Sequence, residues 1–268
     1  MKIGCCTWIF GGEPLAGTAA RIKRAGLDGV ELFGDISLDP QEVLAVLGDY
    51  GLEVFSLTPG DADISHPDAA VRDQAHDYYR RLVDFAAALG GPLISCHGQV
   101  TRIAPISTQA EEDAHLIAST RAICELAAAQ GQNVVFEILN RYETHQIRTV
   151  AAGLAFLAEV GANNLKLLPD AYHMNIEERD PAAALRRAGD KLGLYHAADS
   201  NREGIGRGHT DFLAQIAALS YIGYEGPVIL ETSAPGPNPF STDKGEGFRA
   251  IIEKQLKDSA DWLRTARA

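Results

Sequence analysis

Short apolar runs with strand-like composition alternate along the chain with longer segments whose apolar positions recur at helical spacing. The runs are KIGCCTW (2–8), GVELF (29–33), EVFSLT (53–58), PLISCH (92–97), NVVFEI (133–138), LKLLPD (165–170), LGLYHA (192–197) and PVILET (227–232). Between them lie GTAARIKRAG, DPQEVLAVLGDY, AVRDQAHDYYRRLVDFAAALG, AEEDAHLIASTRAICELAAAQG, TVAAGLAFLAEVG, PAAALRRAG and TDFLAQIAALSYIG, with a last helical segment near 245–265. Several close on Gly, the residue a helix C-cap prefers. The strand runs are continuously apolar rather than alternating, as burial on both faces of a parallel sheet requires. Eight such units in 268 residues predict an α/β fold, a (β/α)8 TIM barrel forming one domain over 1–268. The alternative, an open doubly wound sheet, needs G-x-G-x-x-G in its first βα turn. That turn reads WIFGGEPLAG.

The C-terminal strand ends change the picture, because that is where a barrel of this type builds its active site. Strand five ends on Glu137, strand six on Asp170, strand seven on His196 and strand eight on Glu231. Each alone has an ordinary reading: an Asp that caps a helix or turn, a strand histidine satisfied in place, a Glu paired to an Arg. Together, on successive strands at one level, they put three carboxylates close enough to repel one another unless a cation sits among them. Oxygen-rich ligation with one imidazole suits a divalent metal, Mn²⁺ first, with Mg²⁺ or Co²⁺ as alternatives, better than a structural zinc.

Composition narrows the partners. The chain carries 24 Lys+Arg against 36 Asp+Glu, a net charge of −12, with no basic run beyond short pairs, so nucleic acid is not expected. Hydrophobic residues at 46% and charged residues at 22% are ordinary for a globular protein. The start MKIGCCTWIFGGEP is too short in apolar character for a signal segment, and no run of 18 apolar residues occurs, which predicts a cytoplasmic chain with no membrane partner. The four cysteines, Cys5, Cys6, Cys96 and Cys124, lack zinc-type spacing and read as small buried residues in a reducing compartment.

The stretches NRYE (140–143), DAYHMNIEE (170–178), HAADSNREGIGRGHTDF (196–212) and LET (230–232) resemble the ketose 3-epimerase family, the D-tagatose and D-allulose 3-epimerases within the xylose-isomerase-like barrels. The resemblance is tight over roughly 130–235 and architectural before that. It implies metal ligands at Glu137, Asp170, His196 and Glu231, with Glu137 and Glu231 doubling as the catalytic acid/base pair. It further implies sugar contacts by Glu143, His173 and Arg202, a small-molecule sugar substrate, and a homo-oligomer, dimer or tetramer. The expected reaction is inversion at C3 of a free ketose, by deprotonation to an enediolate stabilised by the metal and reprotonation on the other face. His173 and Arg202 are expected on loops, placed to donate hydrogen bonds to sugar oxygens.

Other readings stay open at this level. Barrels acting on 3-keto-glycosides, by 4-epimerisation or β-elimination, share the HMNIEE and NRYE features, and GPNPFSTDKGEGF after strand eight departs from the ketose pattern. A non-catalytic sugar-binding barrel or partner subunit would keep the shape without needing two facing carboxylates. GIGRGHTDF (204–212) could cradle a phosphate at a helix N-terminus, although no P-loop lysine follows it. His97 either lines the pocket or packs, Trp8 and Phe10 are candidates for an apolar wall, and GPNPF (236–240) reads as a long rigid loop.

Overall fold

The computed structural model describes residues 1–236, 238 and 241–266. Its strands are β1 (Ile3–Cys6), β2 (Gly29–Phe33), β3 (Glu53–Thr58), β4 (Leu93–Cys96), β5 (Val134–Ile138), β6 (Leu165–Pro169), β7 (Tyr195–Ala197) and β8 (Val228–Leu230). The helices are α1 (Leu15–Arg24), α2 (Pro40–Asp49), α3 (Ala69–Ala88), α4 (Gln109–Ala129), α5 (Val150–Val160), α6 (Ala171–Glu177), α7 (Pro181–Ala188), α8 (Phe212–Tyr221) and α9 (Phe248–Ala266). All eight strands are parallel neighbours in the order β6-β5-β4-β3-β2-β1-β8-β7. The β6–β7 seam is held by the isolated pairs Leu167↔Leu192 and Asp170↔His196. This is the (β/α)8 barrel that the continuous apolar runs predict.

Strand residues such as Val134, Leu167, Leu168, Ile229 and Leu230 are fully buried, as are the inward residues Ile22, Leu82, Leu256 and Leu263 of the helical layer. Helix starts follow the capping chemistry in the sequence. Asp39, Asp68, Thr108, Thr149, Asp170, Asp180 and Asp211 each accept a backbone N–H of the helix they open, a contribution of about 1 kcal/mol apiece. The four cysteines are free and buried, and burial pushes their thiols up, so they stay protonated; Cys6 Sγ donates to Glu31 Oε1 at 3.5 Å.

Two local differences from the sequence pattern bear on the site. Strand six stops at Pro169 and the next residue caps α6, so His173 lies on a helix instead of a loop. The cause is local: Asp170 Oδ1 takes the Tyr172 N–H at 2.6 Å, and AYHMNIE then has nothing to prevent helical turns. Strand one ends at Cys6, and Trp8–Phe10 forms a 3₁₀ turn. Phe10 is fully buried, and Arg249 Nε donates to its carbonyl, which makes it core; Trp8 is half-buried. The rigid-loop reading of 236–240 rests on Pro237, Pro239 and Phe240, which lie outside the described residues.

Candidate metal centre

Barrel geometry carries the four strand-end groups to one point. Glu137 comes from β5, Asp170 follows β6, His196 lies in β7 and Glu231 follows β8. One ligand atom from each lies within 4.8 Å of all the others. His196 Nδ1 is the hub: Glu231 Oε2 is 3.1 Å away, Glu137 Oε1 3.5 Å and Asp170 Oδ2 3.9 Å. Exposure falls between 0% and 6% for the four, so water does little to screen their repulsion.

The electrostatics register that crowding. Burial, with the charges of Glu231 and Asp170, pushes the Glu137 carboxyl up to about 8 against the pull of His196. Burial also raises Asp170, with Glu231 adding to the rise and His173 and Arg202 opposing it. Burial works on Glu231 too, but the Arg202 guanidinium and His196 hold it below the ordinary carboxylate range. His196 is driven well above its usual value because Glu31, Glu137 and Glu231 outweigh its burial. Asp170 Oδ2 finds no hydrogen-bond partner among the described residues, and an unmade buried acceptor costs about 1–3 kcal/mol. Three carboxylates, one of them with an orphaned oxygen, and one imidazole converging on the same point are the donor set that a divalent cation fits.

Glu31, in the middle of the apolar run GVELF, belongs to this site although nothing in that run marks it. Its side chain is 1% exposed, and Oε2 lies 3.1 Å from His196 Nε2. Ser56 Oγ donates to Oε2 at 2.6 Å and Thr58 Oγ1 to Oε1 at 2.5 Å. The register shift between Val30 and Glu31 sets Glu31 opposite Ser56, the kind of irregularity that re-aims a side chain near a site. Burial would raise this carboxyl, but His196, Ser56 and Thr58 pull it down to about 2. A carboxylate surrounded by donors accepts the imidazole Nε2–H, and Nδ1 is left to face the three other carboxylates.

The remaining predicted residues form a rim around the centre. Arg202 pairs with Glu231 Oε1 at 2.9 Å and its guanidinium lies over the Tyr172 ring at 4.6 Å. It has a left-handed φ of 65°, a conformation a non-glycine residue keeps only when its surroundings hold it. His173 is 1% exposed, 4.0 Å from Asp170 Oδ2 through Nε2 and 3.4 Å from Arg202 Nη1; burial lowers it to about 3, so it is neutral. Glu143 sits in a turn, with Oε1 3.9 Å from His173 Nδ1. Asn140, the first residue of NRYE, touches both: its Nδ2 is 2.7 Å from His173 Nδ1 and 3.1 Å from Glu143 Oε1. His97, the residue after β4, is half-buried and its imidazole is lowered by burial, so it stands at the same C-terminal strand ends as the cluster.

The glycine-rich loop after β7 has its donors already engaged. The Asp199 carboxylate accepts N–H groups from Ser200, Gly206 and Thr210 at 2.7, 2.8 and 3.0 Å, while Gly204 and Ile205 N–H donate to Gln255 and Ser259. A Cβ at Gly208 would collide with the Asp199 carboxylate, so glycine is required there to let the loop wrap its own anion. The phosphate-cradle reading fails on this geometry.

Comparison with known proteins follows the same lines. The family described as xylose isomerase-like TIM barrel matches residues 19–266. A ketose 3-epimerase of Arthrobacter globiformis is 34% identical over 245 residues, covering 87% of this chain and 83% of that enzyme. A 3-dehydro-D-guloside 4-epimerase of Escherichia coli is 31% identical over 274 residues, covering 99% of this chain and 100% of that enzyme. Among solved structures, a D-allulose 3-epimerase from Methylomonas sp. in complex with D-allulose superposes with a TM-score of 0.87 at 28% identity, covering 99% of this chain and 97% of that one.

Proposed function

The chain belongs to the xylose isomerase-like TIM barrel family, and from that premise we propose that it is a divalent-metal-dependent sugar epimerase inverting C3 of a free ketose, such as D-tagatose, D-fructose/D-allulose or L-ribulose. Its relatives are epimerases over most of the chain's length, which supports an isomerase. The observation that carries the reading is the convergence of Glu137 and Glu231, from strands five and eight, on His196 Nδ1 beside the orphaned Asp170 Oδ2.

Glu137, Asp170, His196 and Glu231 would hold the ion, Mn²⁺ first, and it would supply Lewis-acid polarisation of the sugar carbonyl, acidifying the adjacent C–H. Glu137 and Glu231 reach the centre from non-adjacent strands, so one carboxylate can take the C3 proton from one face of the sugar while the other returns a proton to the opposite face. Arg202, fixed by Glu231 and Tyr172, and neutral His173 are donors for the oxygens on which charge develops. Glu143, an acceptor at the rim, binds sugar hydroxyls.

A second reading, action on a 3-keto-glycoside by 4-epimerisation or β-elimination, is favoured by one observation: the Escherichia coli 4-epimerase matches from end to end, whereas the Arthrobacter globiformis enzyme is covered to 83%. A panel of free ketohexoses, ketopentoses and 3-keto-glucosides, each assayed with Mn²⁺ and with EDTA, separates the two. The first reading expects ketose epimerisation that EDTA abolishes and Mn²⁺ or Co²⁺ restores; turnover of the keto-glycosides alone would replace it with the second.

A further inference from the structure

We propose that Asn140 is a positioning residue that fixes His173 in the tautomer with its proton on Nε2, so that the imidazole presents an N–H to the sugar. This rests on the reading of His173 as a sugar contact. The orientation of the Asn140 amide is set by its own backbone: Oδ1 accepts the Tyr142 N–H at 2.8 Å. The opposite orientation would put an NH₂ against that N–H and an oxygen against the Glu143 carboxylate, two like-with-like contacts. With Oδ1 committed, Nδ2 is the atom facing His173 Nδ1 at 2.7 Å and Glu143 Oε1 at 3.1 Å. An amide nitrogen can only donate, so Nδ1 must accept, and the imidazole proton is on Nε2.

The consequence lies on the other side of the ring. Nε2–H and Arg202 Nη1 stand 3.4 Å apart, and both are donors. They cannot satisfy each other. Two donors converging beside the cluster of Glu137, Asp170, His196 and Glu231 are satisfied by one shared oxygen acceptor, which a ketose carbonyl or hydroxyl supplies. The reversed tautomer would turn a lone pair toward that oxygen and repel it. Asn140, 1% exposed and two residues beyond Ile138, the last residue of β5, therefore acts on the substrate through His173 without touching it.

Nitrogen-15 NMR of histidine-labelled protein reads the tautomer directly, with no sugar present. In the unaltered protein His173 should have Nε2 protonated and Nδ1 bare; a proton on Nδ1 would overturn the inference whatever the activity proves to be. Asn140→Asp keeps the shape and the acceptor for Tyr142 N–H but replaces the donor with an acceptor, so the proton should move to Nδ1. Metal content should hold, the melting temperature should fall because the new carboxylate faces Glu143, and kcat/KM should fall by a factor on the order of 10 to 10², the scale for removing the group that orients a functional histidine. Should Asn140→Asp fold poorly, the unaltered protein's spectrum still decides the tautomer. In a His173→Ala background the same substitution should cost nothing further. An undiminished penalty there would mean that Asn140 acts by some other route, and failure of every sugar in the panel would count against the function but leave the tautomer as measured.

Discussion

At the scale of single residues, His196 and His173 look alike in the sequence and have opposite surroundings. His196 is ringed by Glu31, Glu137, Asp170 and Glu231, while His173 receives a hydrogen bond from an amide and faces a guanidinium. His196→Ala should therefore lose bound Mn²⁺, whereas His173→Ala should keep it and lose turnover; metal analysis of the two purified variants checks this, and equal metal loss would contradict it. Glu31→Gln should weaken Mn²⁺ binding by a factor on the order of 10 to 10², the usual effect of removing a carboxylate that orients a ligating histidine, as titration calorimetry would read. Unchanged affinity would contradict this orienting role for Glu31. Asp170 shows how much a sequence can say about one residue. The cap reading of it holds in the structure, where Oδ1 caps α6, and Oδ2 is left over on the side where the ligand reading needs it. Glu31 was not legible, because its partner is 165 residues away and a lone Glu in an apolar strand carries no signal of what it faces.

At the scale of elements, the apolar runs located all eight strands, since two-sided burial leaves a continuous pattern that no loop imitates. The helix that escaped, α6, has seven residues, too few for a helical period to emerge after the strand pattern stops. The loop after β7 illustrates the reverse case: glycines at 204, 206 and 208 read as an anion site, and the anion turns out to be Asp199 of the same loop. Burial raises that carboxyl, but the N–H groups around it outweigh burial and hold it below its ordinary value. A lowered folded pKa means that its stabilisation is complete above the unfolded value of about 3.9 and is lost as pH falls through the folded value. Asp199→Asn should cost about 1–3 kcal/mol at neutral pH, since at least one N–H loses its charged acceptor. It should also flatten the acid limb of the stability curve below about pH 5. Chemical unfolding of both proteins across that range is the check, and parallel curves would contradict the assignment.

At the scale of the whole molecule, the β6–β7 seam has only isolated pairings among the described residues, and Asp170 and His196 face each other across it. An ion held by both should tie the barrel where it is least tied by backbone. At Mn²⁺ about a hundredfold above its dissociation constant the fold should gain about 2.7 kcal/mol, with slowed amide exchange concentrated at 192–197; uniform slowing, or none, would place the ion elsewhere. Among the described residues no helix is long and apolar enough to cross a membrane. The central claim is that Glu137 and Glu231 work on opposite faces of one carbon, and its most direct measurement is solvent deuterium exchange followed by NMR on both epimers of the substrate. In the unaltered enzyme, product should carry deuterium at the inverted carbon, C3 for a ketose or C4 for a 3-keto-glycoside. Glu137→Gln and Glu231→Gln should each cut epimerisation by a factor on the order of 10² to 10⁴, and each should still exchange the one epimer whose proton faces its remaining carboxylate. Product free of deuterium, or both variants exchanging both epimers equally, would contradict the two-carboxylate account.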